Sequence, residues 1–378
     1  MNQTEPMPDD RFAFYPRLRA RVVLAVIAAF VVLSAVVPIN AGSQDTKTAG
    51  FVEAVVGGAA KQAAKRPRDH DLALYDQVIA RIARGENYYE AAAREHRAAN
   101  YPLRPGVAVR LPTLAYLDLW LGDRGQGADV LIWGEVLAAI ALMLAVIWAW
   151  WRRLGDEPGG LRFQLLGTAL VFVGASLGLN RYYFVLHELW TGMLIALSLG
   201  LHRPERKWLG AVLAAGLALA IREHALPYVL LMGAAALYRR DWKEGAAWGT
   251  LVALFALGLA VHLRLVGQQV LPSDVMGPNW LVFRGLSGWL SDVVLSSNLR
   301  FLAHYVAGPL VMLMMVGWAG WKSSLGTTAT LLFLGYGLAF MIAGRPDNFY
   351  WGAVIAPAMF AGLAFAPRAL RSLGRAAR

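Results

Sequence analysis

Between residues 71 and 82, apolar side chains recur at helical spacing: Tyr75, Val78, Ile79 and Ile82 form one stripe, with Asp76, Gln77 and Arg81 off it. An i, i+3, i+4, i+7 stripe predicts an amphipathic helix. Gly85 stands where such a helix would stop. A second helical piece is expected from Tyr89 to Arg97, closed by Tyr101-Pro102-Leu103-Arg104-Pro105. Proline lacks an amide donor and restricts the residue before it, so this cluster cannot be helix interior. The stretch 69–112 is the most polar in the chain and reads as lying on a membrane surface rather than crossing it.

The rest of the pattern is long apolar runs divided by short polar ones. The runs fall at 22–37, 130–151, 163–179, 186–201, 208–221, 225–238, 246–266, 301–321, 325–343 and 349–366. Alternate connections are basic: Arg152 and Arg153; His202, Arg203, Arg206 and Lys207; Arg239, Arg240 and Lys243; Lys322; and the tail Arg368, Arg371, Arg375 and Arg378. Basic loops stay on the cytoplasmic side. The expectation is an all-α, polytopic transmembrane bundle of about ten spans, with both termini cytoplasmic, in a bacterial inner membrane. Its parts are a cytoplasmic N-terminus (1–21), a first span (22–38) and a first outer, periplasmic loop carrying interfacial helices (39–127). A transmembrane core (128–266), a second outer loop (267–300), the last spans (301–366) and a basic tail (367–378) follow. The runs 186–201 and 225–238 are short for a bilayer, which takes about 20 residues.

Composition agrees. Of 378 residues, 57% are hydrophobic and 16% charged, against about 25% charged in soluble domains. The net charge of +11 sits mostly in the short loops, so it orients the chain rather than implying nucleic acid. With no cysteine, disulfides, thiolate nucleophiles and cysteine-ligated metals are excluded.

The chemistry-bearing residues fall on the side assigned as outer. Asp69 and Asp71 open the first outer helix, where an acid either caps free backbone N–H groups or takes a proton from a hydroxyl. Arg222-Glu223-His224 places three ionisable groups in one tight turn at membrane depth, which either faces a polar cavity or snorkels to the interface. His187-Glu188 opens the fourth run, as a polar patch or a capped helix start. Arg345, Asn348 and Tyr350 lie at the outer end of the last pair of runs, and Arg104 and Arg110 flank the proline cluster. Each arginine can bind phosphate through its fork of donors or contact a headgroup. His262, His304 and Trp280 read as packing or interfacial residues.

Together these features resemble the GT-C superfamily of membrane glycosyltransferases. The resemblance rests on Asp71-Leu-Ala-Leu-Tyr75 followed by Ile79, Ile82 and Gly85-Glu86-Asn87-Tyr88-Tyr89, on the Tyr-Pro/Arg-x-Pro cluster, on Arg222-Glu-His-Ala-Leu-Pro227, and on 345–357. The chain departs from many members in lacking a large soluble C-terminal domain and in spacing its early acids Asp-His-Asp rather than side by side. The departure in spacing leaves open whether Asp69 or Asp71 is the base, and whether a metal takes part.

The resemblance implies transfer of a sugar from a polyprenyl-phosphate donor to a hydroxyl on a lipid, glycan or protein acceptor at the outer face. Asp71, or Asp69, would be the catalytic base. Arg222, Arg345, Arg104 and Arg110 would hold the donor phosphate. His187, Glu188, Glu223, His224, Tyr88, Tyr89, Asn348 and Tyr350 would line the substrate site. No cofactor is required, although a divalent cation is compatible. No nucleic-acid partner is expected. Two other classes fit the hydropathy: a transporter or flippase for a lipid or anionic solute, and a non-catalytic subunit of an envelope polysaccharide assembly. The nearly charge-free centres of the runs and the lack of an internal repeat disfavour the transporter.

Overall fold

A computed structural model describes residues 10–40, 69–122, 132–204 and 207–378. The regular structure of the described residues is all helical, with isolated bridges but no strand. Arg206, and much of the first outer loop at 41–68 and 123–131, lie outside them.

The polar stretch folds as its pattern predicts. Helix α1 (Arg17–Val36) precedes it, and α2 (His70–Ala83) and α3 (Tyr88–Ala98) form it. Helix α2 buries Val78, Ile79 and Ile82 of the stripe, and also Leu72 and Leu74, while Gln77 is exposed. It ends at Gly85, whose φ of +88° suits a residue without a Cβ. Asn87 caps α3 by accepting from the Tyr89 amide at 2.9 Å. A short helix, α4 (Thr113–Leu121), then leads to the apolar bundle.

The bundle comprises α5 (Ile132–Gly155), α6 (Gly160–Ala175), α7 (His187–Leu201), α8 (Leu209–Ile221), α9 (Leu226–Tyr238) and α10 (Trp242–Gln269). After a polar connection come α11 (Gly285–Leu295), α12 (His304–Gly320), α13 (Ser324–Ile342), a 3-10 stretch (Pro346–Val354), α14 (Ala356–Met359) and α15 (Gly362–Ala376).

All ten apolar runs are thus helical along most of their length, but they are not equivalent. Among the described residues, five helices are long and apolar enough to cross a bilayer: Arg17–Val36, Trp133–Gly155, Gly160–Leu179, Trp242–Gln269 and Ser324–Ile342. The pair Pro346–Val354 and Ala356–Ala376, bent by 63°, makes a sixth if it counts as one span. Helices α8 and α9 have 13 residues each, about 20 Å, against a hydrocarbon core of about 30 Å. The count that length and apolarity support is therefore five or six. The reason is local: Arg222-Glu223-His224 breaks the α8–α9 hairpin, and α7, nearly all buried, lies inside the bundle. The long helices carry many exposed apolar side chains, among them Val22, Val26 and Phe30 on α1, Leu137 and Leu144 on α5, and Leu254 and Leu257 on α10, and the short α8 and α9 carry others, such as Leu209, Leu213 and Leu230.

Two glycines let segments meet closely enough to build one end of the bundle. A Cβ on Gly192 of α7 would strike the Ala353 carbonyl, and one on Gly352 would strike the Asp292 carbonyl of α11. The 346–354 stretch is therefore wedged between α7 and α11.

The opposite end gathers both described chain ends. Phe12 packs with Ala369 and Leu373, and Arg21 Nε donates to the Ala377 carbonyl at 2.8 Å. There Glu157 accepts from Trp321 Nε1 at 2.7 Å and pairs with Arg153 at 2.6 Å. Glu244 is met by His202 Nε2 at 2.8 Å, Arg239 Nη2 at 2.8 Å and Trp248 Nε1 at 3.0 Å.

Candidate functional site

Five chain segments bring ionisable groups to the end of the bundle that α2 covers: the α2 start, the loop before α4, the α7 start, the 222–224 turn and the 345–350 stretch. Tyr75, one turn into α2, marks the centre. The charges of Arg110, Glu188, Asp71 and Arg222 all act on its phenol. Its ring meets His187 edge-on at 5.1 Å, and its hydroxyl accepts from Arg110 Nε at 3.0 Å.

The two early acids divide the roles that the sequence leaves open. Asp69 is the N-cap of α2, its Oδ1 accepting from the Asp71 amide at 3.2 Å. The Asp71 carboxylate is not the cap; its Oδ1 accepts from the Tyr101 hydroxyl. Tyr101 begins the proline cluster, so that cluster holds Asp71 in place. Burial raises the pKa of Asp71 above its ordinary value, while the Tyr101 hydrogen bond and the nearby Arg110 charge oppose the rise. A carboxylate moved toward neutrality is a stronger base than an ordinary aspartate.

The four arginines part company. Arg222 is 1% exposed and committed to protein groups: Nε lies 2.8 Å from Glu188 Oε1 in an ion pair without hydrogen-bond alignment, and Nη1 donates to Glu223. Its Nη2 is 3.4 Å from His224 Nε2. Arg104 turns away from the cluster, donating to the Asp274 carbonyl and, at 3.3 Å, to that of Pro272. Arg345 pairs with Asp347 at 2.6 Å and is partly open to solvent. Arg110 sits in the middle. Its charge reaches Tyr75, Glu188, Tyr350 and Glu223, yet the only side chain its guanidinium bonds among the described residues is the neutral Tyr75 phenol.

The remaining predicted residues divide similarly. His224 packs edge-on against Trp351 at 4.7 Å, and its carbonyl accepts from Tyr336. Asn348 accepts from the Arg345 amide at 3.1 Å and bonds the Tyr350 hydroxyl at 3.2 Å, which ties Tyr350 to the rim. Tyr88 is buried and donates to the Arg110 carbonyl at 2.7 Å, so it positions the arginine's backbone. Tyr89 faces away toward His262, whose Nδ1 is 3.3 Å from its hydroxyl.

Sequence reasoning missed a second layer. Behind Tyr75, a cavity with room for about 20 Å³ of water is lined by Tyr88, His96, Arg110, Asp118 and His187 among others. That is space for a water molecule, not a substrate. Asp118 was legible only as a single polar residue inside an apolar pattern, and His96 only as one of several charged and polar residues at the end of α3. Burial pushes His96 down to about 4, so it is neutral there. His187 is buried, and neither ring nitrogen makes an aligned hydrogen bond.

Among the described residues, no cluster of three or more histidine or acidic side chains has metal-binding geometry. The arrangement provides a raised-pKa carboxylate, an arginine with donors directed at no carboxylate, and a rim of tyrosine, histidine and asparagine. Five or six helices able to cross a bilayer fit a multi-pass membrane protein. No family model, curated protein or solved structure matches the chain.

Proposed function

We propose that the chain is a GT-C-type membrane glycosyltransferase with about ten helical passes, several of them short. It moves a sugar from a polyprenyl-phosphate donor to a hydroxyl acceptor on the outer face of a bacterial cell membrane. The observation that carries this reading is the convergence of Asp71 and Arg110 about Tyr75, from segments whose sequence resembles that family.

In this reading Asp71, held by Tyr101 through Oδ1, removes the proton of the acceptor hydroxyl with its other oxygen. The hydroxyl oxygen attacks the anomeric carbon as the bond to the phosphate oxygen breaks, which inverts that carbon and releases polyprenyl phosphate. The departing phosphate gathers negative charge, which Arg110 stabilises, with Arg345 at the rim. Arg222 serves differently from the expectation: its charge is balanced by Glu188 and Glu223, so it shapes the site floor. The basic end, with both termini, faces the cytoplasm under this orientation.

The test is donor turnover. Protein reconstituted in vesicles is given a polyprenyl-phosphate hexose labelled in the sugar, with a hydrophilic alcohol as acceptor. The reading predicts protein-dependent release of polyprenyl monophosphate and labelled glycoside. Movement of intact donor between leaflets with no cleavage would instead identify a flippase.

A further inference from the structure

The connection between α10 and α11, residues 270–284, has no regular structure, yet it is fastened at both ends. Near its start, the Arg97 fork grips the Asp274 carboxylate at 2.7 and 2.9 Å. Arg104 donates to the backbone of Pro272 and Asp274. Near its end, the Gly344 amide donates to the Trp280 carbonyl at 2.8 Å, and the Arg284 amide to the Met341 carbonyl at 2.7 Å. The connection is therefore a strap tied to the polar segment on one side and to the end of α13 on the other.

Its side chains have the wrong polarity for a loop in water. Leu281 and Phe283 are 73% and 80% exposed, and Leu271, Val275, Met276 and Val282 are also exposed. Loops that meet water are normally polar, and a fixed cluster of exposed apolar side chains marks a contact surface.

The fastening sets the depth of this surface. Helix α13 has 19 residues, about 28 Å, close to the thickness of a hydrocarbon core. The end of α13 thus lies near the hydrocarbon boundary, and the bonds to Met341 and Gly344 hold residues 281–283 beside it. The last turns of α13 also expose apolar side chains, Leu338 and Ile342.

We propose that residues 281–283 insert into the headgroup–acyl boundary of the outer leaflet, so that the strap is a bilayer-surface contact. Through Asp274, the inserted strap holds Arg97 and α3 at a fixed height above the lipid. This requires that the long apolar helices cross a membrane, with the leaflet named outer by the orientation proposed above, and not that the protein transfers sugars.

The chain has no cysteine, so single cysteines report unambiguously. Full-length Phe283→Cys carries an environment-sensitive fluorophore and is reconstituted in phosphatidylcholine vesicles containing lipids with a nitroxide either near the headgroup or deep in the acyl chain. Gln77→Cys on the exposed face of α2 is the aqueous reference, and Leu257→Cys on α10 the bilayer reference. Leu281→Cys repeats the measurement if Phe283→Cys does not fold. The expected result is stronger quenching by the shallow nitroxide than by the deep one, with iodide quenching well below that of the Gln77 probe. Iodide quenching equal to the Gln77 probe overturns the proposal. So does shielding from iodide without nitroxide quenching, which would assign the face to a second copy or another protein.

Discussion

Both ends of the bundle bury charge, and they differ in how fully it is met. At the basic end both buried glutamates are saturated: Glu157 takes Arg153 and Trp321, and Glu244 takes His202, Arg239 and Trp248, while Asp10 caps Phe12 through Oδ1 and leaves Oδ2 without an aligned hydrogen bond. At the other end Asp71 has one strong partner in Tyr101, His187 makes no aligned hydrogen bond, and Arg110 bonds a neutral phenol. Satisfied polar networks rigidify a fold, whereas partly satisfied ones cost free energy. A fold that keeps the second kind at the mouth of its polar cluster has groups left over for a ligand. That difference in degree, rather than the presence of charge, marks the cluster around Tyr75 as the candidate site.

The comparison breaks most visibly at Glu244. Removing its carboxylate in Glu244→Ala leaves the buried donors of His202 and Trp248 and the half-buried one of Arg239 unmatched, and is expected to lower stability by about 3–5 kcal/mol. Thermal unfolding in detergent checks this, with donor turnover per folded molecule unchanged. Arg110→Ala, at the unsaturated end, is expected to lose about 10²–10³-fold in turnover with little loss of stability, and Arg110→Lys to retain part of it. If Arg110→Ala melts as early as Glu244→Ala, the two ends do not differ as argued.

Tyr101→Phe sharpens the contrast. Turnover should fall about tenfold with loss of the bond that orients Asp71. The pH profile gives the sign. In the proposed mechanism deprotonated Asp71 is the active form, so activity should fall as pH drops through its pKa, which burial raises above the ordinary aspartate value. The Tyr101 hydrogen bond lowers this pKa, so removing it moves the acid limb to higher pH. The smallest effect is at Arg104, which ties the strap and lies outside the cluster: Arg104→Ala should change turnover by less than about threefold.

Much of this was legible in the sequence. The stripe Tyr75, Val78, Ile79 and Ile82 and the stop at Gly85 predict α2 closely, because helical period and positive φ are local properties. The residue types of the cluster were legible as well. Their division of labour was not. Which of Asp69 and Asp71 caps α2 depends on which oxygen meets the backbone amide, and both sit at the helix start. Arg104 and Arg110 share one loop and face different neighbours, because proline and the 3-10 turn at Gly106–Ala108 redirect the chain between them. Arg222 read as an available cation because its partner Glu188 lies on another helix. The span count exceeded what helix length supports because hydropathy registers apolar runs without registering where a buried turn shortens them.

The central claim is that Asp71 performs chemistry while Asp69 holds the helix. Asp71→Asn keeps the size of the side chain and can still accept from Tyr101, but it takes up no proton at neutral pH. In vesicles supplied with a polyprenyl-phosphate hexose, the variant is expected to bind polyprenyl phosphate and to melt as the wild-type protein does, while turnover falls by about two to four orders of magnitude. Turnover near that of the wild-type protein, or loss of turnover in step with loss of folding, would contradict the account.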